Sequence, residues 1–329
     1  MNNELNLQMI EEAKERLSGV VSHTPLVYSE RLSREYDAEV YLKREDLQVV
    51  RSYKIRGAYN KVAMLALGDE REVVCASAGN HAQGVAFACA KLGRHGRIYM
   101  PKNTPEQKVN RVRYWGADFV NIVLEGDTYD DACISAQKYC VENNGIFVHP
   151  FDDVDVMAGQ GTLALEILDD LKKKIDFFVV PVGGGGLLAG AGFCIKTKSP
   201  ETVVVGVEPS GAPSMTEALC VSKPVTLSSI DKFVDGASVK TVGKNVFPIA
   251  QKILDQMLLV KESRVCDEMI SFYQNEGIVA EPAGALASAS LDQIRDEIKG
   301  KIVVCVLSGG NNDLKRYPEI LARSMSYNV

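Results

Sequence analysis

The stretch Phe177-Phe178-Val179-Val180-Pro181-Val182-Gly183-Gly184-Gly185-Gly186-Leu187-Leu188 decides the architecture. Its β-branched and aromatic run predicts a buried strand, the four glycines a turn, and the residues from Leu187 to Lys196 a helix. Strand, glycine loop and helix in succession form the building unit of α/β folds with parallel sheets. Phe177 to Ile195 is also 19 residues without a charge, long enough to test as a membrane span. Pro181 and six glycines inside it would leave broken hydrogen bonds in lipid, so the segment reads as soluble core.

The same alternation runs along the chain. Strands are expected at Val40–Lys43, Val73–Ser77, Arg97–Met100, Phe119–Leu124, Ile146–His149, Phe177–Val182, Val203–Glu208, Met257–Val260 and Ile302–Leu307. Helices are expected at Arg56–Leu67, Ala82–Leu92, Pro105–Trp115, Tyr129–Asn143, Met157–Leu171, Leu187–Lys196, Asn245–Leu254, Glu262–Glu276 and Ala283–Gln293, and Met1 to Leu17 is helical in pattern. No repeat or long linker interrupts them. The 329 residues suggest two domains at ~150 residues each.

A net charge of −6 argues against nucleic acid or an anionic membrane as partner. The eight cysteines form no CxxC pair and only four histidines are present, which argues against a zinc cluster. Scattered thiols and the lack of a signal-peptide core at the N-terminus predict a cytoplasmic protein.

Ligands of open parallel sheets sit where strands end. Three such loops stand out: Ser77-Ala78-Gly79-Asn80-His81-Ala82-Gln83-Gly84, Gly183 to Leu187, and Ser308-Gly309-Gly310-Asn311-Asn312-Asp313. Four glycines at a helix start let backbone N–H groups close around an anion, and no GK[S/T] follows, which excludes a nucleoside-triphosphate loop. Gly184, Gly186 and Ala189 also fit GxGxxA with Glu208 as a ribose-binding acid, so on this loop alone an NAD(P)-dependent oxidoreductase is the runner-up. The Ser77–Gly84 loop can hold a carboxylate, though a Ser and Asn in a helix-capping turn is commonplace. Lys54 lies between Arg51 and Arg56, and cationic neighbours lower an amine's pKa, as Schiff-base chemistry requires. A phosphate cradle, a carboxylate loop and such a lysine together suggest pyridoxal phosphate acting on an amino acid.

These motifs carry a family resemblance. Ser52-Tyr53-Lys54-Ile55-Arg56-Gly57-Ala58, the Ser77–Gly84 loop, Gly183 to Leu187, Ser308-Gly309-Gly310-Asn311, Thr24-Pro25-Leu26 and Glu281-Pro282-Ala283-Gly284-Ala285 resemble, in order and spacing, the serine/threonine dehydratase family, threonine dehydratase (threonine ammonia-lyase) in particular. The resemblance implies the tryptophan-synthase-β-like α/β fold of pyridoxal-phosphate enzymes (fold type II), with mostly parallel sheets. Its large domain would comprise residues 1–48 and 150–329 and its small inserted domain residues 49–149. It also implies a homodimer or homotetramer. Lys54 would carry the cofactor and serve as the catalytic base, Asn80 would bind the cofactor's phenolic oxygen, and Gly183, Gly184, Gly185, Gly186 and Leu187 its phosphate. Ser308 would face the pyridine nitrogen, and Ser77, Gly79, Asn80 and His81 would surround the substrate carboxylate. The implied reaction is β-elimination of L-threonine to 2-oxobutanoate and ammonia, with side activity on L-serine.

A neutral Ser308 hydroxyl does not force the pyridine nitrogen to stay protonated, which favours loss of a β-leaving group over transamination. Serine racemase and L-serine dehydratase are the alternatives within the fold. The racemase family places a serine after the position of Ser77; here Ala78 cannot transfer a proton. Glu208, with Ala212 and Ser214, only weakly matches the family's divalent-metal site, and Glu208 reads equally well as a solvated acid at a strand end. Val50-Arg51 before Ser52 and Lys43-Arg44-Glu45-Asp46-Leu47-Gln48 upstream look more like the biosynthetic form, toward isoleucine, than the catabolic one. The biosynthetic form commonly continues into a C-terminal regulatory domain, so a chain ending at Val329 reads as a short form or a catalytic fragment. A non-catalytic amino-acid sensor is a third class, against which the intact lysine, phosphate loop and Ser308 stand.

Overall fold

Two sheets organise the chain, and β-branched runs build both. The computed structural model describes residues 4–66 and 68–325. The parts of the predicted N-terminal and Arg56–Leu67 helices at residues 1–3 and at Leu67 lie outside the described residues, as do residues 326–329. Among the described residues the strands are β1 Leu26–Tyr28, β2 Glu39–Arg44, β3 Val73–Ala76, β4 Gly96–Met100, β5 Val120–Leu124, β6 Ile146–Phe147, β7 Phe177–Pro181, β8 Val203–Pro209, β9 Gln256–Val260 and β10 Ile302–Leu307. The helices are α1 Leu7–Leu17, α2 Glu30–Tyr36, α3 Lys54–Ala63, α4 Asn80–Leu92, α5 Glu106–Gly116, α6 Tyr129–Glu142 and α7 Val154–Asp170. They continue with α8 Phe193–Lys198, α9 Ser214–Cys220, α10 Val246–Ile253, α11 Glu262–Glu276, α12 Pro282–Ala289, α13 Arg295–Ile298 and α14 Tyr317–Met325.

The chain divides into two units. One comprises the described residues up to Val21 with Lys54–Gln160, the other Ser22–Tyr53 with Gly161 onward. The first holds the all-parallel sheet β5-β4-β3-β6. Its core places Val73 and Cys75 of β3 against Ala82, Val85 and Ala86 of α4. Val74 and Ala76 face the other way, toward Ala132 and Ala136 of α6. That alternation is the period-two pattern of a strand covered on both faces. The second unit holds the sheet β1-β2-β10-β7-β8-β9, parallel except for the antiparallel edge pair β1–β2.

These units differ from the expected 1–48, 49–149 and 150–329 division in where the described residues up to 21, residues 49–53 and residues 150–160 go. Leu17 of α1 packs in one cluster with Ala58, Tyr59 and Val62 of α3, and Arg16 Nε donates to Asn60 Oδ1 at 2.7 Å. The start of α7 is tied to α3 as well. Asn60 Nδ2 donates to the Asp155 carbonyl at 2.7 Å, and Lys61 pairs with Asp153 and Asp155, both at 2.8 Å.

Candidate active site

The strand ends position one group of candidate residues in each unit. In the first, β3 leads through Ser77 into α4, whose N-cap is Gly79. Ser77 Oγ accepts the Gly79 N–H at 3.2 Å, a local turn that shapes the approach to the helix. Helix α4 begins at Asn80, and the N–H groups of a first helical turn point out of its N-terminus.

Lys54 opens α3, one step beyond a β-strap described below. Its helix is clasped closely. A Cβ on Gly84 of α4 would lie 3.2 Å from Ile55 backbone atoms, and one on Gly159 of α7 would lie 2.5 Å from the Arg56 carbonyl oxygen. Glycine at both points lets α4 and α7 approach the α3 backbone. Lys54 Nζ donates to the Pro150 carbonyl at 2.8 Å. Of the two arginines expected to flank the amine, Arg56 is fully buried and Arg51 is exposed.

His81 is buried, and its Nε2 lies 2.9 Å from the Val148 carbonyl, an obligate acceptor, so Nε2 carries the hydrogen. Burial, and after it the Lys54 charge, push its pKa down to about 3. The neutral ring therefore presents a bare Nδ1 lone pair, which is buried and unpartnered. Such a ring cannot donate to a carboxylate; what His81 offers an anion is its backbone N–H.

In the second unit, β7 and β10 are parallel neighbours, so the loops after Pro181 and Leu307 emerge at the same end of the sheet. Gly185 has φ +88°, a conformation that only glycine adopts cheaply. Gly184, Gly185, Gly186 and Leu187 are buried. Among the described residues, no protein acceptor takes the N–H groups of Gly183 through Leu187, while Ala189 N already bonds the Gly185 carbonyl. Buried amides without partners are rare in proteins, and this cradle suits a phosphate. The helix expected from Leu187 begins with a wide π turn at Leu188–Gly192 before α8.

Ser308 is buried, and its hydroxyl donates to the Ala283 carbonyl at 3.2 Å, leaving its lone pairs open. The chain before Lys54 is strapped to this loop. Asn311 Nδ2 donates to Val50 O at 2.8 Å, Gly310 N to Arg51 O at 2.9 Å, and Tyr53 N to Ser308 O at 3.2 Å. Burial, with the Glu281 charge behind it, raises the Tyr53 pKa, so the phenol stays neutral.

Glu208 is not a solvated acid. It is fully buried, and its carboxylate accepts Met215 N at 2.6 Å, Thr216 N at 3.0 Å and Thr216 Oγ1 at 2.8 Å, with Ser214 Oγ at 3.4 Å. It caps α9 from a distance, with Ser214 as a donor to it. Burial raises its pKa to about 7 against the pull of those hydrogen bonds. A carboxylate so engaged is not presented to a ribose, which removes the acid on which the nicotinamide reading depended.

Residues 17–309 match the family model described as pyridoxal-phosphate dependent enzyme. The chain belongs to that family. It is an enzyme whose cofactor is pyridoxal phosphate, and the uncommitted amides of Gly183 to Leu187 fit the phosphate of that group. Among curated family members, the chain is 52% identical over 327 residues to the biosynthetic L-threonine dehydratase of Bacillus subtilis (strain 168), covering 99% of itself and 78% of that protein. Its identity to the namesake enzyme of Halalkalibacterium halodurans is 50% over 316 residues, 96% of this chain and 76% of the other. Among solved structures it resembles the processed form of threonine deaminase isoform 2 from Solanum lycopersicum, with TM-score 0.90, 36% identity, and 98% and 95% of the two chains covered. Maize serine racemase aligns with TM-score 0.89 and 27% identity over 98% of this chain and 99% of the other. The tryptophan-synthase-β-like α/β fold of the family is the fold of this chain. Among the described residues, no helix is long and apolar enough to cross a membrane.

One segment near the lysine carried no functional assignment from sequence. Val148, His149 and Pro150 follow β6, and two of their carbonyls take the His81 and Lys54 hydrogens. The rule that ligands gather where strands end points to this loop too, once β6 is seen to stop at Phe147 rather than His149.

Proposed function

We propose that this enzyme eliminates water from L-threonine and releases 2-oxobutanoate and ammonia. Relatives about half identical over nearly the whole chain are L-threonine dehydratases, and the site residues support the same chemistry. The observation that carries the reading is the cradle of uncommitted amides from Gly183 to Leu187 in a chain whose Lys54 Nζ donates to a backbone carbonyl.

Bound pyridoxal phosphate supplies the sink for the electron pair left when the Cα proton is removed. Lys54 holds the cofactor, and once its amine is free it takes that proton. The amides of Gly183, Gly184, Gly185, Gly186 and Leu187 bind the phosphate, Asn80 the phenolic oxygen, and Ser308 the pyridine nitrogen. Ser77, Gly79, Asn80 and the backbone of His81 receive the substrate carboxylate at the start of α4, where the helix dipole favours an anion. The β-hydroxyl leaves as water with the proton that Lys54 took from Cα, and the enamine that remains is hydrolysed to the 2-oxo acid and ammonia.

Ala78 supports elimination over racemisation, because a methyl group cannot return a proton to the opposite face of Cα. L-Serine, one methyl smaller, is a weaker alternative substrate giving pyruvate; a methyl is worth only ~1–3 kcal/mol of discrimination. Division into a large cofactor domain and a small inserted domain, a role toward isoleucine, assembly as a homodimer or homotetramer and a cytoplasmic location complete the proposal; that none of the eight cysteines is in a disulfide supports the location.

The test is product analysis on the purified protein loaded with pyridoxal phosphate. L-Threonine is expected to give 2-oxobutanoate and ammonia in equal amounts, and L-serine to give pyruvate more slowly with no D-serine. D-Serine as the main product of L-serine would overturn the elimination reading.

A further inference from the structure

We propose that His149 is a positioning residue for Lys54, acting through the single peptide unit that joins Pro150 to Phe151. The proposal rests on Lys54 being the cofactor-bearing lysine.

That peptide is gripped at both ends. Its N–H, on Phe151, donates to His149 Nδ1 at 3.3 Å, and its carbonyl, on Pro150, accepts Lys54 Nζ at 2.8 Å. In a trans peptide the N–H and C=O point in opposite directions, so a ring holding one sets the aim of the other. The next amide, Asp152 N, donates to the same Nδ1 at 2.8 Å, which folds the chain after Pro150 back onto the ring. Phe151 packs edge-on against the imidazole with centroids 4.6 Å apart, and Phe147 lies 6.1 Å from it. A hydrogen bond accepted from the N–H also polarises the peptide and makes its carbonyl a better acceptor.

This arrangement gives the Lys54 amine a defined place when it is not bonded to the cofactor. One N–H of the amine is spent on Pro150 O, which restricts the directions left to its lone pair. Leu or Phe at position 149 has no acceptor for the two amides, and the peptide that receives Lys54 is then free to rotate.

The ring must be neutral to do this. Two N–H donors already point at Nδ1, so a proton added there breaks both bonds. Burial opposes the charged ring most strongly, and the Lys54 charge adds to it; Asp152 and Asp153 favour the charged ring. His81, the other histidine within electrostatic reach, is itself neutral. The net direction is downward from the ordinary histidine value, so the imidazole is a working acceptor through the neutral range.

Two variants separate the acceptor from the ring. His149→Leu removes the acceptor, while His149→Asn places a carbonyl oxygen near the position of Nδ1. The full chain is stripped of cofactor, and its recapture of pyridoxal phosphate is followed by absorbance, which reads the Lys54 amine without turnover. His149→Leu is expected to recapture about five- to tenfold more slowly, the worth of one ordinary hydrogen bond, and His149→Asn within about twofold of the parent. In the loaded enzyme, the acid limb of kcat/KM contributed by His149 disappears in both variants.

Recapture by His149→Leu at the parental rate overturns the proposal. So does His149→Asn being as slow as His149→Leu while its thermal transition is native. Should His149→Leu fail to fold, His149→Asn decides alone: recapture near the parental rate with the acid limb lost supports the proposal, and an unchanged acid limb overturns it. Lys54→Ala runs alongside. Parental uptake by Lys54→Ala would remove Lys54 from the site altogether, whereas loss of uptake there with a normal His149→Leu sinks only the role of His149.

Discussion

The Tyr53 amide donates to the Ser308 carbonyl at 3.2 Å, so the residue preceding Lys54 is bonded to the residue assigned to the pyridine nitrogen. Around this bond, Val50 to Tyr53 and Ser308 to Asn311 form a short strap with a β-bridge at Ser52 and Gly309. Two motifs more than 250 residues apart in sequence are thereby held in register.

The strap is intolerant of bulk. A Cβ on Gly310 would lie 2.5 Å from the Val279 carbonyl oxygen, a backbone atom that cannot swing aside. Gly310→Ala is expected to cost about 1–3 kcal/mol in a urea unfolding curve and to lower the cofactor content of the purified protein.

Gly185 and Gly277 both have positive φ, +88° and +64°, but different surroundings. A Cβ on Gly185, in the proposed phosphate cradle, would lie 2.5 Å from Val246 Cγ1, whereas one on Gly277, at the end of α11, meets nothing within 4 Å. Alanine at either costs stability, about 1 kcal/mol from the backbone alone. Titration with pyridoxal phosphate is expected to show at least tenfold weaker binding for Gly185→Ala and unchanged binding for Gly277→Ala.

Glu208 makes a pH prediction with a definite sign. Its folded pKa of about 7 lies above that of an unfolded glutamate, so the native state binds the extra proton and gains stability from it at low pH. That contribution is full below about pH 4.5 and is lost as pH rises through 7. The swing is on the order of 3 kcal/mol. Glu208→Gln is expected to flatten this part of the stability profile, measured as the urea midpoint between pH 5 and 8; an unchanged slope would show that Glu208 does not carry it.

The clasp on α3 is testable through Gly159. Its Cβ would meet the Arg56 carbonyl oxygen at 2.5 Å and Gly57 Cα at 2.6 Å. Gly159→Ala must therefore push α7 and α3 apart. Its thermal midpoint should fall, and kcat should fall with it, because the displaced helix begins at Lys54.

Much of this was legible in the sequence because local pattern and tertiary role agree there. Glu262–Glu276 and Ile302–Leu307 form with the predicted bounds, and the loops singled out after β3, β7 and β10 carry the candidate residues. Elements defined by distant partners were not legible. Strand β1 is three residues on an antiparallel edge, too short to show a period. Helix α9 is seven residues long and is capped through space by Glu208, so no local N-cap announces it. Helix α2 has a proper Ser29 cap but only seven residues of pattern, and the expected Ala283–Gln293 helix breaks at Ser290 into α12 and a 3₁₀ turn. The burial of Glu208 and the double duty of the Pro150–Phe151 peptide are through-space facts that no spacing rule encodes.

The most direct test of the account is to locate the cofactor. The protein is loaded with pyridoxal phosphate, reduced with borohydride to make the attachment permanent, digested, and its peptides weighed. The cofactor mass is expected on the peptide containing Lys54, with both that mass and 2-oxobutanoate release from L-threonine absent in Lys54→Ala. Cofactor on a different lysine, or threonine turnover by Lys54→Ala, would contradict this expectation.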